Sequence, residues 1–579
     1  MISPTLTIPT DVDRPWLKNY PSIAPQTLDI PEIAAWGILH RTAGRHPDRI
    51  ACRYYNQSVT YRELFENARR TASMLQKWGL KPGDRVGIML PNLPEYISLL
   101  NGIWMAGGIA VAMSPLMVTG EVDTFMRATD CRLVVCLDLL APLVTNAEYE
   151  PEHVFFATLG DRLPTWQRLG YAFARLQRFG RRPAQDHPSH HLFDDQVAEG
   201  DPEFDPIALP STNEPAYILP TGGTTGKPKA VTLSHRNLVA NAWQVYHWCG
   251  GFEGREKLMA VLPFFHSYGL TTCAMSGVAI AGTLIIHHRF VPRIVARLIE
   301  EHQPTAFPAV PAMLSALNEL LRDRPIQFKA LRNVMSGGAA LSNEIADEFV
   351  QHSGATVVEG YGMSEASPVI CTGPLDGTNV QGTIGFPMPE TDVRIVGEDG
   401  NTLPFGEVGE LVVRGPQVML GYWNNPEATD AVLRDGWLHT GDMGTCDENG
   451  YFRIVDRKKD LVITSGFNVY PANVEPILRQ CPCVNDVAIV GELDAHCGEV
   501  VKAVVTLNPG IDFDRSVFDA FAVEHLSKHK RPKIVEVLEG DLPRNFLGKV
   551  LRRQLRSGEP TQEPLSDAEH SAVTTVAKE

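Results

Sequence analysis

The stretch "PTGGTTGKPKAVTLSH", residues 220–235, decides how this chain is interpreted. Between Thr221 and Ala230 it contains three glycines, three threonines and two lysines. Glycine-rich backbone can form a concavity whose amides bind anions, and hydroxyl and ammonium groups add hydrogen bonds and positive charge. The composition of this segment therefore predicts a loop that holds phosphate groups.

The loop differs from a Walker A loop. That motif needs four residues between its first glycine and its Gly-Lys pair, and Ser or Thr directly afterwards. Here three residues separate Gly222 from Gly226, and Pro228 stands at the position of the hydroxyl. Apolar "AYIL" and "AVTL" flank the loop, so we predict a hairpin-like clasp between two strands. A glycine-rich surface turn is the alternative that this segment alone leaves open.

Outward from the loop, strand and helix patterns alternate. Residues 59–79, "VTYRELFENARRTASMLQKWG", begin with Thr60 and Glu63 at capping-box spacing and continue with a helical apolar period. Apolar strands are predicted at "DRVGIML" (84–90) and "ATVVEGYG" (355–362), the second of which runs into a glycine turn. This alternation is typical of an α/β fold with a largely parallel sheet.

The pattern changes after about residue 385. Residues 391–415 contain short strands closed by Gly and Asn turns, and residues 447–460 contain another strand that ends in a charged cluster. We predict a large N-terminal domain of parallel-rich sheets with a β-barrel-like subdomain (1–458). A small mobile C-terminal α+β domain (459–556) and a disordered polar tail (557–579) are predicted to follow.

Composition narrows the functional classes. The 579 residues carry a net charge of -16, which argues against broad nucleic-acid binding and a polybasic membrane anchor. Ten scattered cysteines predict a reducing compartment, and the N-terminus lacks the pattern of a secretory signal. The apolar run 273–286 is too short to span a bilayer and is interpreted as core. We therefore expect a soluble cytoplasmic protein.

Two groups of metal-ligand residue types have simpler interpretations. Cys481 and Cys483 form a "CPC" pair, but no second pair lies at zinc-site spacing. His187, His190 and His191 lie in a segment rich in Arg, His and Pro. A solvated surface loop is favoured over a metal site for these histidines.

Four further motifs follow the loop: "GYGMSE" (360–365), "HTGD" (439–442), "VDRKKDLVITSGFNVYP" (455–471) and "PRNFLGK" (543–549). Together with the loop they resemble the adenylate-forming superfamily, which contains acyl-CoA synthetases, adenylation domains and firefly-type luciferases. The third motif, with "PWLKNYP" (15–21) and "LGDRLPTWQ" (159–167), is similar to bacterial long-chain fatty acyl-CoA ligases. The resemblance covers nearly the whole chain.

This resemblance implies a reaction in two halves. A carboxylate attacks the α-phosphate of ATP and gives acyl-AMP and pyrophosphate, and the thiol of CoA then displaces AMP. The first half brings two anions together, so positive charge and Mg²⁺ must offset their repulsion. Positioning and electrostatics are the main tasks left to the protein. The implied cofactors are ATP, Mg²⁺ and CoA.

The same resemblance assigns the nucleotide site. The resemblance assigns phosphate binding to the loop residues Thr221, Gly222, Gly223, Thr224, Thr225, Gly226, Lys227 and Lys229. It assigns adenosine binding to Gly337, Gly338, Tyr361, Gly362, Asp442 and Arg457. Within this set Tyr361 stacks on adenine, and Asp442 and Arg457 bind the ribose. Ser364 contacts the α-phosphate with a hydroxyl where relatives usually have Thr, and Glu365 and Thr225 ligate Mg²⁺.

Catalytic roles also follow from the resemblance. Lys549 bridges the substrate carboxylate and the α-phosphate, a role that suits a mobile ammonium group. Lys459 stands at a hinge, and rotation there exchanges Lys549 for a face that admits the thiol. That face carries Ser465, Gly466 and Phe467.

The acyl pocket is assigned on "PFFHSYG", in which His266 is expected near the reacting carboxylate. A structural histidine within an aromatic cluster is the alternative for this residue. The other expected walls are Ser267, Tyr268, Gly269, Val310, Met313 and Met335. An apolar pocket suits an acyl tail, but its depth cannot be obtained from the sequence.

Three alternatives stay open beside a medium- or long-chain fatty acyl-CoA ligase. A fatty acyl-AMP ligase that loads a carrier protein is disfavoured because no insertion is evident between residues 385 and 459. A ligase for an aryl or specialised acid is disfavoured by Thr464, where such enzymes often carry Lys. A catalytically dead relative is disfavoured because Lys549, Glu365 and Asp442 are all present. Peripheral membrane contact and a homodimer are left open as partners.

Overall fold

The computed structural model describes residues 14–163, 168–172, 187–221, 229–464, 467–494, 498–544 and 548–556. Several residues with predicted roles lie outside this part: Gly222, Gly223, Thr224, Thr225, Gly226, Lys227, Ser465 and Gly466. The predicted tail, residues 557–579, lies outside it as well.

The first sheet has nine strands, in the spatial order Phe386–Pro387, Val369–Thr372, Thr356–Gly362, Asn333–Ser336, Ala306–Ala309, Lys257–Ala260, Thr283–Ile286, Ile50–Tyr54 and Gln57–Thr60. The six strands from Thr356–Gly362 to Ile50–Tyr54 pair in parallel, and the outer ones are antiparallel. The carboxyl ends of the parallel strands share one edge, where open α/β sheets bind their ligands.

The second sheet has eight strands, in the order Gly421–Tyr422, Lys229–Ser234, Pro215–Thr221, Ile109–Ala112, Arg85–Met89, Cys131–Leu137, His153–Ala157 and His190–Leu192. Pro215–Thr221 pairs antiparallel with Lys229–Ser234, and Thr221 lies opposite Lys229. The prediction that two strands flank the glycine-rich loop is therefore confirmed.

The helices of the described residues alternate with these strands. The α-helices are Gly37–Arg45, Tyr61–Lys77, Pro94–Met105, Thr119–Thr129, Ala141–Thr145, Phe193–Ala198, His235–Trp248, Ser267–Gly269, Ser276–Ala279, Pro292–His302, Pro311–Asp323, Asn343–Ser353, Pro426–Val432, Pro471–Leu478 and Arg515–His525. Short 3₁₀ turns are Pro15–Asn19, Asp138–Leu140, Gly160–Arg162, Ser364–Ala366, Lys528–Lys530 and Arg552–Leu555, and Leu270–Met275 is a π-helical turn. The capping box between Thr60 and Glu63 is present.

The core fills the space around both sheets. The apolar run 273–286 is buried throughout, which confirms its interpretation as core. Trp104, Phe155 and Phe264 belong to one large buried cluster that contains residues of both sheets. No helix of the described residues is long and apolar enough to cross a membrane.

A smaller antiparallel sheet follows, at the position of the predicted barrel-like subdomain. Its order is Asp392–Val396, Gly409–Arg414, Trp437–Cys446 and Leu433–Arg434, and Phe452–Arg457 also pairs with Trp437–Cys446. The last unit contains Phe467–Val469, Val462–Thr464, Gly498–Leu507, Val484–Asp494 and Ile534–Val537 as one sheet. Two helices and a separate apolar cluster complete it. The predicted fold class is therefore confirmed.

Candidate active site

The carboxyl edge of the first sheet meets the small antiparallel sheet at a tyrosine and a carboxylate. The Tyr361 hydroxyl donates a hydrogen bond of 2.6 Å to Oδ2 of Asp442, which is only 6% exposed. Arg457 Nε lies 3.2 Å from Asp442 Oδ1. Asp442 and Arg457 are directly opposite each other in the antiparallel pairing, so strand register sets this ion pair. Burial and the Asp442 charge raise the pKa of Tyr361, which keeps its hydroxyl a donor.

The turn that presents Asp442 is fixed by a carboxylate. The Gly441 amide donates to Glu410 Oε1 over 3.2 Å, and Lys458 Nζ lies 3.0 Å from Glu410 Oε2. Gly441 has a φ of +70°, a conformation that glycine adopts without strain. The Asp442 amide donates to Thr440 Oγ1 over 3.1 Å. Hydrogen bonds of Gly441 and Asp442 therefore fix the backbone that carries the Asp442 carboxylate.

Gly337 and Gly338 follow strand Asn333–Ser336, which neighbours the strand that carries Tyr361. A Cβ on Gly337 would lie 3.1 Å from the Tyr268 ring and 3.3 Å from the Gly360 carbonyl oxygen. Gly338 has a φ of +82°. The Tyr268 hydroxyl donates to the Met335 carbonyl over 2.8 Å. Close packing against Tyr268 and Gly360 therefore leaves little room for a side chain at Gly337.

Glu365 lies in the short turn after strand Thr356–Gly362. It is 7% exposed, and Oε1 accepts a 2.8 Å hydrogen bond from the Tyr422 hydroxyl. Lys229 Nζ lies 4.8 Å from the centroid of the Tyr422 ring. Burial raises the pKa of Glu365, and the charges of Arg457 and Lys229 oppose that rise. A carboxylate has about four acceptor sites, so Glu365 retains capacity for a cation beside the phosphate loop.

A histidine and two serines adjoin Glu365. Ser267 Oγ lies 3.3 Å from Ser364 Oγ. His266 precedes Ser267, and its Nδ1 accepts from the Tyr268 amide over 3.2 Å. Burial lowers the pKa of His266 to about 4, so the ring is neutral at neutral pH. Because Nδ1 accepts, the neutral ring carries its proton on Nε2, where it can donate to an anion.

Lys549 reaches this site from the C-terminal unit. A Cβ on Gly548 would lie 3.2 Å from the Cβ of Ala312, which belongs to the helix after strand Ala306–Ala309. Burial and then the charge of Arg457 lower the pKa of Lys549 to about 8, and Asp442 acts in the opposite sense. The ammonium group is therefore within electrostatic reach of the Asp442–Arg457 pair.

Lys459 lies between the small sheet and the C-terminal unit. Arg556 Nη2 donates to the Lys459 carbonyl over 3.2 Å. Asp456 Oδ2 accepts from the Ala472 amide over 2.8 Å, which ties the last strand before Lys459 to the unit after it. Burial and the charge of Arg457 lower the pKa of Lys459.

The described residues with predicted roles are Thr221, Lys229, His266, Gly337, Gly338, Tyr361, Gly362, Ser364, Glu365, Asp442, Arg457, Lys459 and Lys549. Thr221 Oγ1 donates to the Lys229 carbonyl over 3.3 Å, which closes the base of the loop. A Cβ on Gly362 would lie 2.0 Å from the Pro368 carbonyl oxygen, so this position requires glycine. Of Phe467 only the backbone is described, in a strand that pairs with Val462–Thr464.

Sequence reasoning missed Glu359, Glu410 and Tyr422. Burial raises the pKa of Glu359 to about 7, and a hydrogen bond with the Leu341 backbone opposes this. Its position directly before "GYGMSE" was the available signal. Glu410 and Tyr422 carry no local motif, because strand pairing alone places them here. Among the described residues no three His, Cys, Asp or Glu side chains are grouped to hold a metal ion.

A cavity of about 50 Å³ is bordered by Met335 of the first sheet. Thr272, Tyr246 and Cys249 also line it. Among the expected pocket walls only Met335 lines this cavity. Tyr268, Val310 and Met313 instead pack in the adjoining buried cluster.

Comparisons with known proteins agree with the motifs. Residues 39–423 match the AMP-binding enzyme family, and residues 473–549 match the AMP-binding enzyme C-terminal domain. The long-chain-fatty-acid--CoA ligase of Bacillus subtilis (strain 168) is 37% identical, with 94% of this chain and 97% of that protein covered. The feruloyl-CoA synthase of Amycolatopsis sp is 33% identical over 90% and 98%.

A solved structure shows the same fold. ATP-bound MatB from Rhodopseudomonas palustris superposes with a TM-score of 0.77 at 30% identity, and 90% of this chain and 98% of that chain are covered. The first family match alone spans more than half of the chain. The chain therefore belongs to the family of AMP-binding enzymes.

Proposed function

We propose that this enzyme activates a medium- or long-chain fatty acid with ATP, forms acyl-AMP, and transfers the acyl group to CoA. Seven curated relatives, 32–37% identical over most of the chain, bear the name long-chain-fatty-acid--CoA ligase. The observation that carries the proposal is the contact of Gly548, next to Lys549, with Ala312 of the large domain, where the charges of Arg457 and Asp442 act on the Lys549 ammonium group. A positive charge from the C-terminal unit would thus serve the proposed nucleotide site.

The residues present fit ATP and Mg²⁺. Gly337 and Tyr361 would enclose the adenine, since little room for a side chain is left at Gly337 and a ring could lie against its backbone. Asp442 and Arg457 would hold the two ribose hydroxyls, and Ser364 would contact the α-phosphate. Glu365 would hold Mg²⁺, together with Thr225 of the loop. When bound, the ion offsets the repulsion between the carboxylate and the triphosphate.

The first half-reaction joins two anions. An oxygen of the substrate carboxylate forms a bond to the α-phosphorus, and the bond to the pyrophosphate oxygen breaks. Lys549 offsets the charge that both groups share. The His266 Nε2–H donates to the carboxylate and orients it, which needs no protonation of the ring.

The second half-reaction needs a different surface at the same place. The proposed C-terminal domain, residues 459–556, rotates about Lys459 and withdraws Lys549. Ser465, Gly466 and Phe467 then face the acyl-AMP and admit the pantetheine arm. The thiol loses its proton and attacks the acyl carbon, and AMP leaves with the bonding electron pair.

The cavity that Met335 lines supports an apolar tail. Its lining hydroxyls are turned to protein carbonyls: Thr272 donates to Tyr268 O over 2.6 Å, and Tyr246 donates to Gly251 O over 2.9 Å. A hydrocarbon tail therefore meets no unpaired hydroxyl there. The cavity is smaller than the roughly 150 Å³ that admits benzene in an engineered core. A long tail thus requires wall side chains to move, for which the flexible Met335 is suited.

The test is pyrophosphate release against acids from acetate to oleate, with benzoate and cinnamate, each with and without CoA. Continuous release with C8 to C18 acids only when CoA is present is the expected result. A single stoichiometric burst that CoA does not change would identify an acyl-AMP ligase that loads a carrier protein. If no fatty acid causes pyrophosphate release, the substrate is a specialised acid instead.

The proposal includes the setting of the enzyme. The acidic composition suits a cytoplasmic protein whose partners are a fatty acid and CoA rather than nucleic acid. A substrate that partitions into bilayers gives a reason for peripheral membrane contact. Co-sedimentation with vesicles tests that contact, and analytical ultracentrifugation tests a homodimer.

A further inference from the structure

Asn92 joins the two large sheets beside the proposed acid site. It follows strand Arg85–Met89 of the second sheet and is 1% exposed. Its Nδ2 donates to Leu262 O over 2.7 Å and to Ala260 O over 3.3 Å. Its Oδ1 accepts from the Phe264 amide over 2.8 Å. One side chain therefore satisfies three backbone groups at the end of strand Lys257–Ala260.

The segment that Asn92 holds leads directly to His266. The His266 amide donates to Pro263 O over 3.1 Å. A Cβ on Gly269 would lie 2.3 Å from Pro263 O and 2.6 Å from Leu262 O, so the turn after His266 rests on this segment. Ser267, in that turn, lies 3.3 Å from Ser364. A shift of the segment would therefore move two residues together: His266, the proposed contact of the carboxylate, and Ser267, the neighbour of Ser364.

A second contact from the same sheet is weaker. Tyr217 lies in the strand before the phosphate loop, and its hydroxyl donates to Phe264 O over 3.5 Å, at the outer limit for a hydrogen bond. The Tyr217 and Tyr96 hydroxyls are 3.0 Å apart. The Tyr96 and Phe264 rings meet edge-on with centroids 5.8 Å apart. Packing thus supports the segment, and Asn92 supplies its short hydrogen bonds.

We propose that Asn92 is a positioning residue for the adenylation step, because it fixes residues 260–264 so that His266 and Ser267 meet the reacting groups. The inference rests on the proposed function, and on His266 as the carboxylate contact in particular. Without the amide, two carbonyls and one N–H lose buried partners. A displacement of about 1 Å at a reacting group can reduce the rate about 10²-fold.

The test compares Asn92→Ala, Asn92→Asp and Asn92→Gln with Asn318→Ala as a matched control. Asn318 is also 1% exposed and bonds a backbone carbonyl, that of Ile345, between two outer helices. Initial rates of pyrophosphate release give kcat, the KM for the acid and the KM for ATP, with an acid that the wild type uses. Thermal unfolding is measured in parallel.

For Asn92→Ala we expect kcat/KM for the acid to fall about 10²-fold, while the KM for ATP changes less than about threefold. Asn92→Asp should be as poor, because a carboxylate would face two carbonyl oxygens. Asn92→Gln retains the amide and should recover part of the loss. Asn318→Ala should lower the unfolding temperature with nearly unchanged kinetics.

Two results would overturn the proposal: unchanged acid kinetics in folded Asn92→Ala, or parallel increases in the KM values for acid and ATP. If Asn92→Ala does not fold, the order of Asn92→Gln and Asn92→Asp decides, and equal kinetics in these two would count against it. A failure of the proposed function is distinguished separately, because the wild-type enzyme would then release no pyrophosphate with any fatty acid.

Discussion

The two halves of the candidate site are built differently. Asp442 and Arg457 face each other within one antiparallel pair, so the fold itself fixes their separation. Lys549 comes from the C-terminal unit and approaches the large domain where Gly548 adjoins Ala312. A residue set by strand register cannot leave without local unfolding, whereas one set by docking can. In the proposed function the nucleotide half is therefore permanent and the lysine half removable, as two reactions at one site require.

The largest expected effect tests the removable half. Lys549→Ala should reduce acyl-AMP formation about 10³-fold, because a charge aimed at the developing anion is lost. Thioesterification from supplied acyl-AMP should change only a few-fold, since Lys549 is withdrawn in that step. Pyrophosphate release and consumption of synthetic acyl-AMP measure the two halves separately.

Lys77→Ala is the matched control, since Lys77 is an exposed lysine whose ammonium group pairs with Glu199 in a part of the fold without predicted site residues. It should leave both half-reactions within about threefold, as expected for an exposed ion pair. If Lys549→Ala lowers both half-reactions equally, the comparison between a fixed and a delivered half fails.

The permanent half should respond differently. Asp442→Ala removes the acceptor of the Tyr361 hydroxyl and the partner of Arg457, and with them the proposed ribose contact. We expect kcat/KM for ATP to fall on the order of 10²-fold, because charged hydrogen bonds are lost. The loss should appear mainly in the KM for ATP. Tyr361→Phe removes one hydroxyl and should cost less, and an equal loss would mean that Asp442 acts only through Tyr361.

Sequence reasoning succeeded where one short segment carries the chemistry. The hairpin around the phosphate loop could be predicted because Pro228 and the apolar flanks are local signals, and the structure pairs Thr221 with Lys229. Helix Tyr61–Lys77 was predictable from Thr60 and Glu63 for the same reason. Family motifs likewise singled out Tyr361 and Asp442, and the structure joins them by a hydrogen bond.

It failed where long-range pairing creates the site. Tyr422 contacts Glu365 because a two-residue strand pairs with Lys229–Ser234, far away in sequence. Asn92 reaches across from the second sheet, and no periodicity encodes that contact. The cavity that Met335 lines was not foreseen either, since Tyr246 and Cys249 lie at the end of a helix whose register against the sheet depends on tertiary packing.

The pH dependence should separate the two halves as well. Burial lowers the pKa of Lys549 from 10.5 to about 8 in the ligand-free enzyme. The ammonium form is required, so kcat/KM for adenylation should fall as pH rises through about 8, by up to about tenfold per unit. Docking of Lys549 itself becomes more favourable as pH rises from about 8 to 10.5, because over this range the docked lysine is neutral while an undocked lysine is still charged. Loss of docking therefore cannot explain the decline.

Lys549→Arg provides the control for this pH effect, because guanidinium remains charged throughout the range. Its residual adenylation activity should show no decline near pH 8. Bound ATP brings negative charge to the lysine, so the decline in kcat should occur at higher pH than the decline in kcat/KM. A decline that persists unchanged in Lys549→Arg would assign it to another group.

The smallest effect tests docking alone. Gly548→Ala places a Cβ 3.2 Å from Ala312, so the docked arrangement must give way slightly, at roughly 1 kcal/mol or about fivefold in adenylation. Gly510→Ala is matched in backbone strain, since Gly510 has a φ of +77° beside the +82° of Gly548, and its Cβ would meet open space. Both variants should lose some stability to unfolding, but only Gly548→Ala should slow adenylation and spare thioesterification. If the two glycine variants behave alike in both half-reactions, the contact with Ala312 does not hold Lys549 in place, and the docking part of the comparison fails.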